Sequence, residues 1–399
     1  MKIPFSPPHI NKAVLDEVQD ALISGWITTG PKVNKLEKLV SEYTGTKNTL
    51  CVNSATSGLM LALKWYGIGQ GDEVIIPAYT YAATALAVIH VGAKPIMVDV
   101  ENDFNISIDR INKAITEKTK AIIPVDIAGW PCDYDDINSL VENKRNVFTP
   151  SHINQEKLGR IIVISDSAHS IGAKYNDRFI GTATDFTVFS FHAVKNVTTA
   201  EGGAICINLP EPFNNNDEYD YLRCYSLNGQ TKDAFAKSKI GSWKYDIIYP
   251  GLKINMPDVL AAIGIAQLPE YFDKTLNQRE AIFKFYNTTF SNKDWAILPP
   301  YISENKMSSC HLYALRINNF SEKQRDDLIT KISSIGVAVN VHFQPLPMLS
   351  LFKELDYNIK DFPKAYDMYK NEISLPIYPQ LNSEQLNFIV NTIITAVES

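Results

Sequence analysis

Ser190, His192 and Lys195 sit close together in Thr187-Val188-Phe189-Ser190-Phe191-His192-Ala193-Val194-Lys195-Asn196. The stretch opens as a strand with two different faces: Phe189 and Phe191 on one side, Ser190 and His192 on the other. Lys195 follows, with Glu201 as the nearest acid in sequence, and after Gly202-Gly203 the chain re-enters an apolar run. A lysine at the end of a half-polar strand, beside a histidine, could be a Schiff-base nucleophile. The plainer reading, which this stretch alone favours, is a solvated lysine at a strand end.

Three further pieces fall where strands should end. Ser54-Ala55-Thr56-Ser57 closes one apolar run and opens a helical pattern, so its backbone N–H groups and hydroxyls suit a phosphate. A simple N-cap has the same signature. Tyr81, in Pro77-Ala78-Tyr79-Thr80-Tyr81, could stack on a planar ring or pack into the core. Asp166 ends the apolar run Ile161-Ile162-Val163-Ile164-Ser165 and precedes Ser167-Ala168-His169. A carboxylate there needs a partner, either the start of the next element or a protonated ring nitrogen. Each piece is weak singly. Together they supply a phosphate cup, a stacking ring, a buried carboxylate and, 29 residues after that carboxylate, a lysine. Pyridoxal phosphate needs those four fittings.

The elements that must position them alternate. Helices are expected over 13–24 and 33–43, separated by the turn-rich Gly25-Trp26-Ile27-Thr28-Thr29-Gly30-Pro31-Lys32. Strands over 49–52, 73–77, 95–98, 120–125 and 160–165 then alternate with helices reaching residue 66 and over 80–90, 108–115 and 134–142. This pattern predicts an α/β fold, a mostly parallel central sheet sandwiched by helices, with ligands gathered at the strands' carboxyl ends. Residues 146–158 interrupt the spacing and read as an insertion, a surface flap. Residues 214–250 lack periodicity and read as a functional segment or an interface arm. Helices from Met256 and over 276–290 follow. Strands over 311–317 and 337–341 and helices over 322–335 and 383–397 then suggest a smaller α+β unit. The expected division is a large cofactor-binding domain, 1–250, and a small C-terminal domain, 251–399.

Bulk composition bounds the partners. The 399 residues carry 45% hydrophobic and 21% charged side chains and a net charge of −6, without a basic block. That argues against nucleic acid as a partner. Five widely spaced cysteines without a C-x-x-C pair argue against a disulfide framework or a zinc site and for a reducing cytoplasm. The first residues are too short an apolar run for a signal peptide, and no stretch reaches membrane-spanning length.

The chain resembles the sugar-nucleotide aminotransferases of the DegT/DnrJ/EryC1/StrS family, fold type I pyridoxal phosphate enzymes, over nearly its whole length. The most specific pieces are Ser24-Gly25-Trp26-Ile27-Thr28-Thr29-Gly30-Pro31, Asn53-Ser54-Ala55-Thr56-Ser57-Gly58, Gly71-Asp72-Glu73-Val74-Ile75, Asp166-Ser167-Ala168-His169, and Ser190-Phe191-His192-Ala193-Val194-Lys195 with Glu201-Gly202-Gly203. The resemblance implies that Lys195 is the Schiff-base lysine, with His192 beside it in a catalytic role. Asp166 would partner the pyridine nitrogen. Thr56, Ser57 and Ser190 would hold the phosphate, Tyr81 would lie over the ring, and His169 beside the cofactor. Asn255 matches a residue reaching the phosphate of a neighbouring subunit, which implies a homodimer with shared active sites and an arm over 214–255 crossing between subunits. Thr28 and His342 would meet the substrate.

By the same resemblance the chain moves an amino group from L-glutamate, leaving 2-oxoglutarate, to a nucleotide-linked keto sugar. Histidine in Ser190-Phe191-His192 is the version of members that aminate the 4-position; 3-position members more often carry tyrosine, and they are the nearest rival. A sister class that dehydrates sugars replaces the lysine with histidine, and Lys195 argues against it. A non-catalytic binding or regulatory protein on the same fold is the rival from another class. The chain departs from the family pattern at Leu252 and Ile254, where aromatics are usual, and at Pro345-Leu346-Pro347, where Pro-Leu-His is expected. These departures bear on the sugar and nucleotide and leave the cofactor set intact.

Overall fold

A computed structural model describes residues 1–232 and 243–399. In chain order its first elements are α1 (Lys12–Ile23), α2 (Pro31–Thr44), β1 (Asn48–Val52), α3 (Ala55–Trp65), β2 (Glu73–Pro77), α4 (Ala82–His90) and β3 (Lys94–Val98). Then come α5 (Ile108–Ala114), β4 (Thr119–Ile122), α6 (Tyr134–Asn143), α7 (Ile153–Leu158), β5 (Ile162–Asp166), the short hairpin β6 (Lys174–Tyr175) and β7 (Arg178–Phe179), β8 (Phe186–Ser190) and β9 (Gly203–Ile207). Seven of these strands form one sheet in the order β1-β9-β8-β5-β4-β2-β3. Only β9 runs against the rest, pairing antiparallel with β1 and β8. The mostly parallel sheet expected from the alternation is therefore present.

Both faces of the sheet are buried, and the strands divide their side chains by parity. Leu50, Val52, Ile162, Ile164, Phe186, Val188 and Ile205 point into one core, shared with α3 and α4. Cys51, Ile75, Val163, Phe189, Phe191 and Ala204 point into the other, shared with α2 and α6. Asp166 follows Ile164, and Ser190 follows Val188, on the α3/α4 side. Both polar side chains thus emerge at the carboxyl ends of neighbouring strands paired in parallel.

The remaining described elements are α8 (Asn215–Ser226), α9 (Asp258–Glu270), α10 (Leu276–Phe290), β10 (Ala296–Ile297), β11 (Lys306–Met307), β12 (Tyr313–Ile317), α11 (Glu322–Ile335), α12 (Ser350–Glu354), α13 (Pro363–Tyr369), β13 (Glu372–Leu375) and α14 (Ser383–Glu398). A second sheet, β10-β12-β13, packs with α10, α11 and α14 around a third core that Ile3 also enters. Among the described residues no helix is long and apolar enough to cross a membrane.

Three expectations need correction. Residues 146–158 do not form a flap. They end in α7, whose Gln155 is fully buried and donates to Tyr66 O at 2.9 Å, while Asn154 donates to Trp65 O at 2.7 Å. The carbonyls at the end of α3 have no intrahelical partner, and this segment supplies one. Residues 337–341 make only isolated bridges, Val337 to Ile3 and Asn340 to Ser374, and the strand of the small sheet is β13. The aperiodic 214–250 segment opens with the regular helix α8, N-capped by Asn214; of the rest of the expected arm, 233–242 lie outside the described residues.

One long-range contact fixes the start of α2. Asp258, buried at the first turn of α9, accepts from the N–H groups of Gly30, Lys32 and Val33 at 2.8, 3.0 and 2.9 Å. Gly30 offers no side-chain cap, so a carboxylate from a distant helix satisfies these donors and complements the positive end of α2. Asp258→Ala leaves them unpaired in a buried setting and should cost roughly 2–3 kcal/mol, read as a lower denaturation midpoint with an unchanged m-value.

Candidate active site

The carboxyl ends of β1, β2, β5 and β8 open onto a cavity of about 500 Å³, closed on its far side by residues that include His311, His342 and Phe343. Thr56, Tyr81, Asp166, His169, Ser190, His192, Lys195 and His342 all line it. The structure does not bring Thr28, Ser57 or Asn255 to the cavity wall. Thr28 is exposed before α2, and Ser57 gives its N–H to Ser54 Oγ inside the first turn of α3. Asn255 pairs with Val52 in a bridge and donates to Thr29 Oγ1 at 2.5 Å.

The floor is made of backbone. Ala55 and Thr56 open α3, where no preceding turn accepts their N–H groups, and the helix dipole adds partial positive charge. Gly203 passes directly beneath: a Cβ there would come within 2.7 Å of Ala55 N and of Phe189 O. Only glycine permits so close an approach.

Asp166 sits at the centre, buried, accepting from Thr84 Oγ1 at 2.7 Å and from Ala168 N–H at 3.3 Å. Burial pushes its carboxyl pKa up, opposed by those two hydrogen bonds and by the positive charge of Lys195. Burial lowers the Lys195 amine to about 8, while the charge of Asp166 works in the opposite direction. The pair therefore holds a carboxylate and a readily deprotonated amine across one space. These are the groups needed to keep a ring nitrogen protonated and to form a carbon–nitrogen double bond. With the α3 N-terminus as an anion cradle, the residues present fit pyridoxal phosphate.

Neutral imidazoles surround the pair. His169 Nδ1 accepts from Ala128 N–H at 3.2 Å, which leaves its proton on Nε2. Its pKa falls well below the usual value through burial and through the charges of Lys195 and His342. Its ring stacks with Phe343 at 5.7 Å and lies 4.4 Å from the ring of His311. His311 was not foreseen from the sequence, nor was Phe343. Asn196 donates through Nδ2 to Tyr271 Oη and Ser309 O, so its Oδ1 faces His311 Nδ1 at 2.9 Å and receives that proton. A histidine and an aromatic in the distant half of the chain carry no local signal of the cavity; only the fold brings them there. His342 is pushed down to about 3 by burial and by Lys195. His192 differs: it is exposed at the rim, with Nε2 3.6 Å from Glu201 Oε1. Tyr81, 63% exposed, leans on Phe343 at 5.6 Å.

A mostly parallel sheet with this cradle, carboxylate and lysine at one end is the frame of a fold type I pyridoxal phosphate enzyme. The pattern of the DegT/DnrJ/EryC1/StrS aminotransferase family matches residues 8–394, so the chain belongs to that family. It is a pyridoxal-phosphate-dependent aminotransferase. It is 35% identical to the spore coat polysaccharide biosynthesis protein SpsC of Bacillus subtilis, over 98% of this chain and 96% of that one. It superposes on Streptococcus pneumoniae Spr1654, assigned as a sugar aminotransferase and solved in its PLP-form, with TM-score 0.95 and 43% identity over 100% of this chain and 99% of that one. Helicobacter pylori PseC, an aminotransferase in the biosynthesis of pseudoaminic acid, gives TM-score 0.87 and 25% identity over the whole of both chains.

The lysine can be tested directly. In the cofactor-free protein the Lys195 amine should lose its proton with a midpoint near 8, followed by ¹⁵N-lysine NMR, instead of the usual 10.5. Asp166→Asn removes the charge that favours the ammonium form and should move that midpoint further down.

Proposed function

We propose that this aminotransferase moves an amino group from L-glutamate to the 4-keto position of a nucleotide-linked sugar. The observation that carries the reading is the Asp166–Lys195 pair set above the α3 N-terminus in one cavity. Sugar as the substrate class draws support from SpsC, Spr1654 and PseC, and amination at C4 from histidine in Ser190-Phe191-His192.

When bound, pyridoxal phosphate supplies the carbonyl that takes up the amine and a ring that accepts electrons. Thr56 and the Ser190 hydroxyl would hold its phosphate at the α3 N-terminus, and Ser57 would join them by giving up its N–H bond to Ser54 Oγ. Asp166 would accept a hydrogen bond from the ring nitrogen and keep it protonated, and Tyr81 and His169 would lie beside the cofactor. Lys195 Nζ takes the α-proton of the amino donor and delivers a proton in the first half-reaction, then runs the transfer in reverse on the sugar. His192 at the rim and His342 on the wall orient the sugar, with Thr28 contributing from the neighbouring subunit.

The active unit is a homodimer in the cytoplasm, with Asn255 reaching the partner's phosphate. Asn255 lies outside its own chain's cavity, against Thr29 in the loop before α2. Five free cysteines suit a reducing compartment.

A panel of nucleotide-linked 3-keto and 4-keto sugars with glutamate, read by mass and NMR of the product, tests the reading. Amination of the 4-keto members is expected, and amination confined to the 3-keto members overturns the position. Lys195→Ala should abolish turnover by several orders of magnitude while leaving the fold intact by circular dichroism.

A further inference from the structure

Behind the cavity wall a short chain of polar groups runs from His342 into the core of the small sheet. His342 Nδ1 lies 2.9 Å from Ser374 Oγ, and the Ser374 hydroxyl lies 2.5 Å from Glu372 Oε1. The second carboxyl oxygen, Oε2, accepts the His342 backbone N–H at 3.1 Å. Glu372 and Ser374, both on β13, are completely buried. The His342 ring lines the cavity, and its Nε2 makes no hydrogen bond among the described residues.

A serine hydroxyl has one proton and donates in one direction at a time. With Glu372 ionised, Ser374 donates to Oε1 and accepts from Nδ1–H, so Nε2 is a bare acceptor facing the cavity. With Glu372 protonated, Oε1–H donates to Ser374, Ser374 donates to Nδ1, and the ring proton sits on Nε2. Going from the second state to the first, one proton leaves Nε2 for solvent, and each internal proton moves one place toward the ring. We propose that Glu372, acting through Ser374, sets the tautomer of His342 and so decides whether the cavity wall offers the substrate a hydrogen-bond donor or an acceptor. Glu372 is a positioning residue, since it touches neither the cavity nor the substrate.

The surroundings allow both states near working pH. Burial pushes Glu372 up to about 8, opposed by the Ser374 hydroxyl, the His342 N–H and the charges of Arg325 and Arg316. Neither arginine pairs with the carboxylate: Arg316 is bound to Asp367 and Arg325 to Asp326. Tyr79, the other titratable group beside it, donates to His342 O at 2.9 Å and is pushed well above its usual pKa by burial. Lys195, His169 and His311 face His342 from the cavity side; burial keeps the two histidines neutral. His342 itself is neutral throughout this range, so its tautomer is the variable.

The test is ¹⁵N-histidine NMR of the holoenzyme without sugar, with the His342 signals identified among seven histidines by their loss in His342→Gln. On raising the pH from neutral to alkaline, Nδ1 and Nε2 should exchange protonated and unprotonated shifts with a midpoint near 8. In Glu372→Gln the amide oxygen keeps the His342 N–H and the amide NH₂ donates to Ser374, which locks the proton on Nε2 at every pH. Ser374→Ala should abolish the pH-linked exchange with Glu372 still in place. A wild-type tautomer that does not change over this range overturns the proposal, as does a Glu372→Gln variant that titrates like the wild type; the wild-type spectra decide even if a variant fails to fold. The donor-or-acceptor consequence for a sugar rests on the proposed activity, whereas the tautomer measurement does not, so the two fail separately.

Discussion

Asp166 and Lys195 face one cavity with opposite formal charges, and burial works against both. Isolated burial would neutralise both. Each is held near its charged form by the other and, for Asp166, by Thr84 and the Ala168 N–H. The rest of the fold can be read as the means of keeping that balance. Parallel pairing of β5 with β8 sets the two strand ends side by side, and the antiparallel β9 returns to the same edge as a glycine, leaving room for the helix terminus above it.

The histidines depend on the same balance. His169, His311 and His342 are buried around an amine whose positive charge opposes their protonation. Each is therefore a neutral ring whose one proton is placed by its partner: Ala128 N–H for His169, Asn196 for His311, Ser374 for His342. A cluster of imidazoles that could have been a patch of positive charge becomes a set of directed donors and acceptors.

The large sheet was legible because its strands are buried on both faces and alternate with periodic helices, so 73–77 could be delimited to the residue, and the same periodicity delimited the helices 276–290 and 322–335 beside the small sheet. Asp166 and Lys195 each had a plain explanation alone, and stood out as candidates only when set beside Thr56 and Tyr81 and read against the family pattern. What failed was long-range. The segment 146–158 looked like an excursion because its purpose, closing the end of α3, lies in backbone carbonyls that no sequence pattern displays. β13 is four residues in which the buried Glu372 disguises a strand, and residues 337–341 have strand composition but pair mainly through isolated bridges. His311, Phe343 and the Asp258 cap share that character: each matters through a neighbour far away along the chain.

The cavity is built from two kinds of material. Its floor, from Ser54 to Thr56 and at Gly203, is main chain packed against main chain, so substitution there disturbs the scaffold before it changes recognition. Its opposite wall, with Phe5, His342 and Phe343, is side chain resting on side chain. Divergence or engineering of substrate range can work on that wall with the cofactor cradle untouched. Libraries aimed at new specificity therefore belong on the wall.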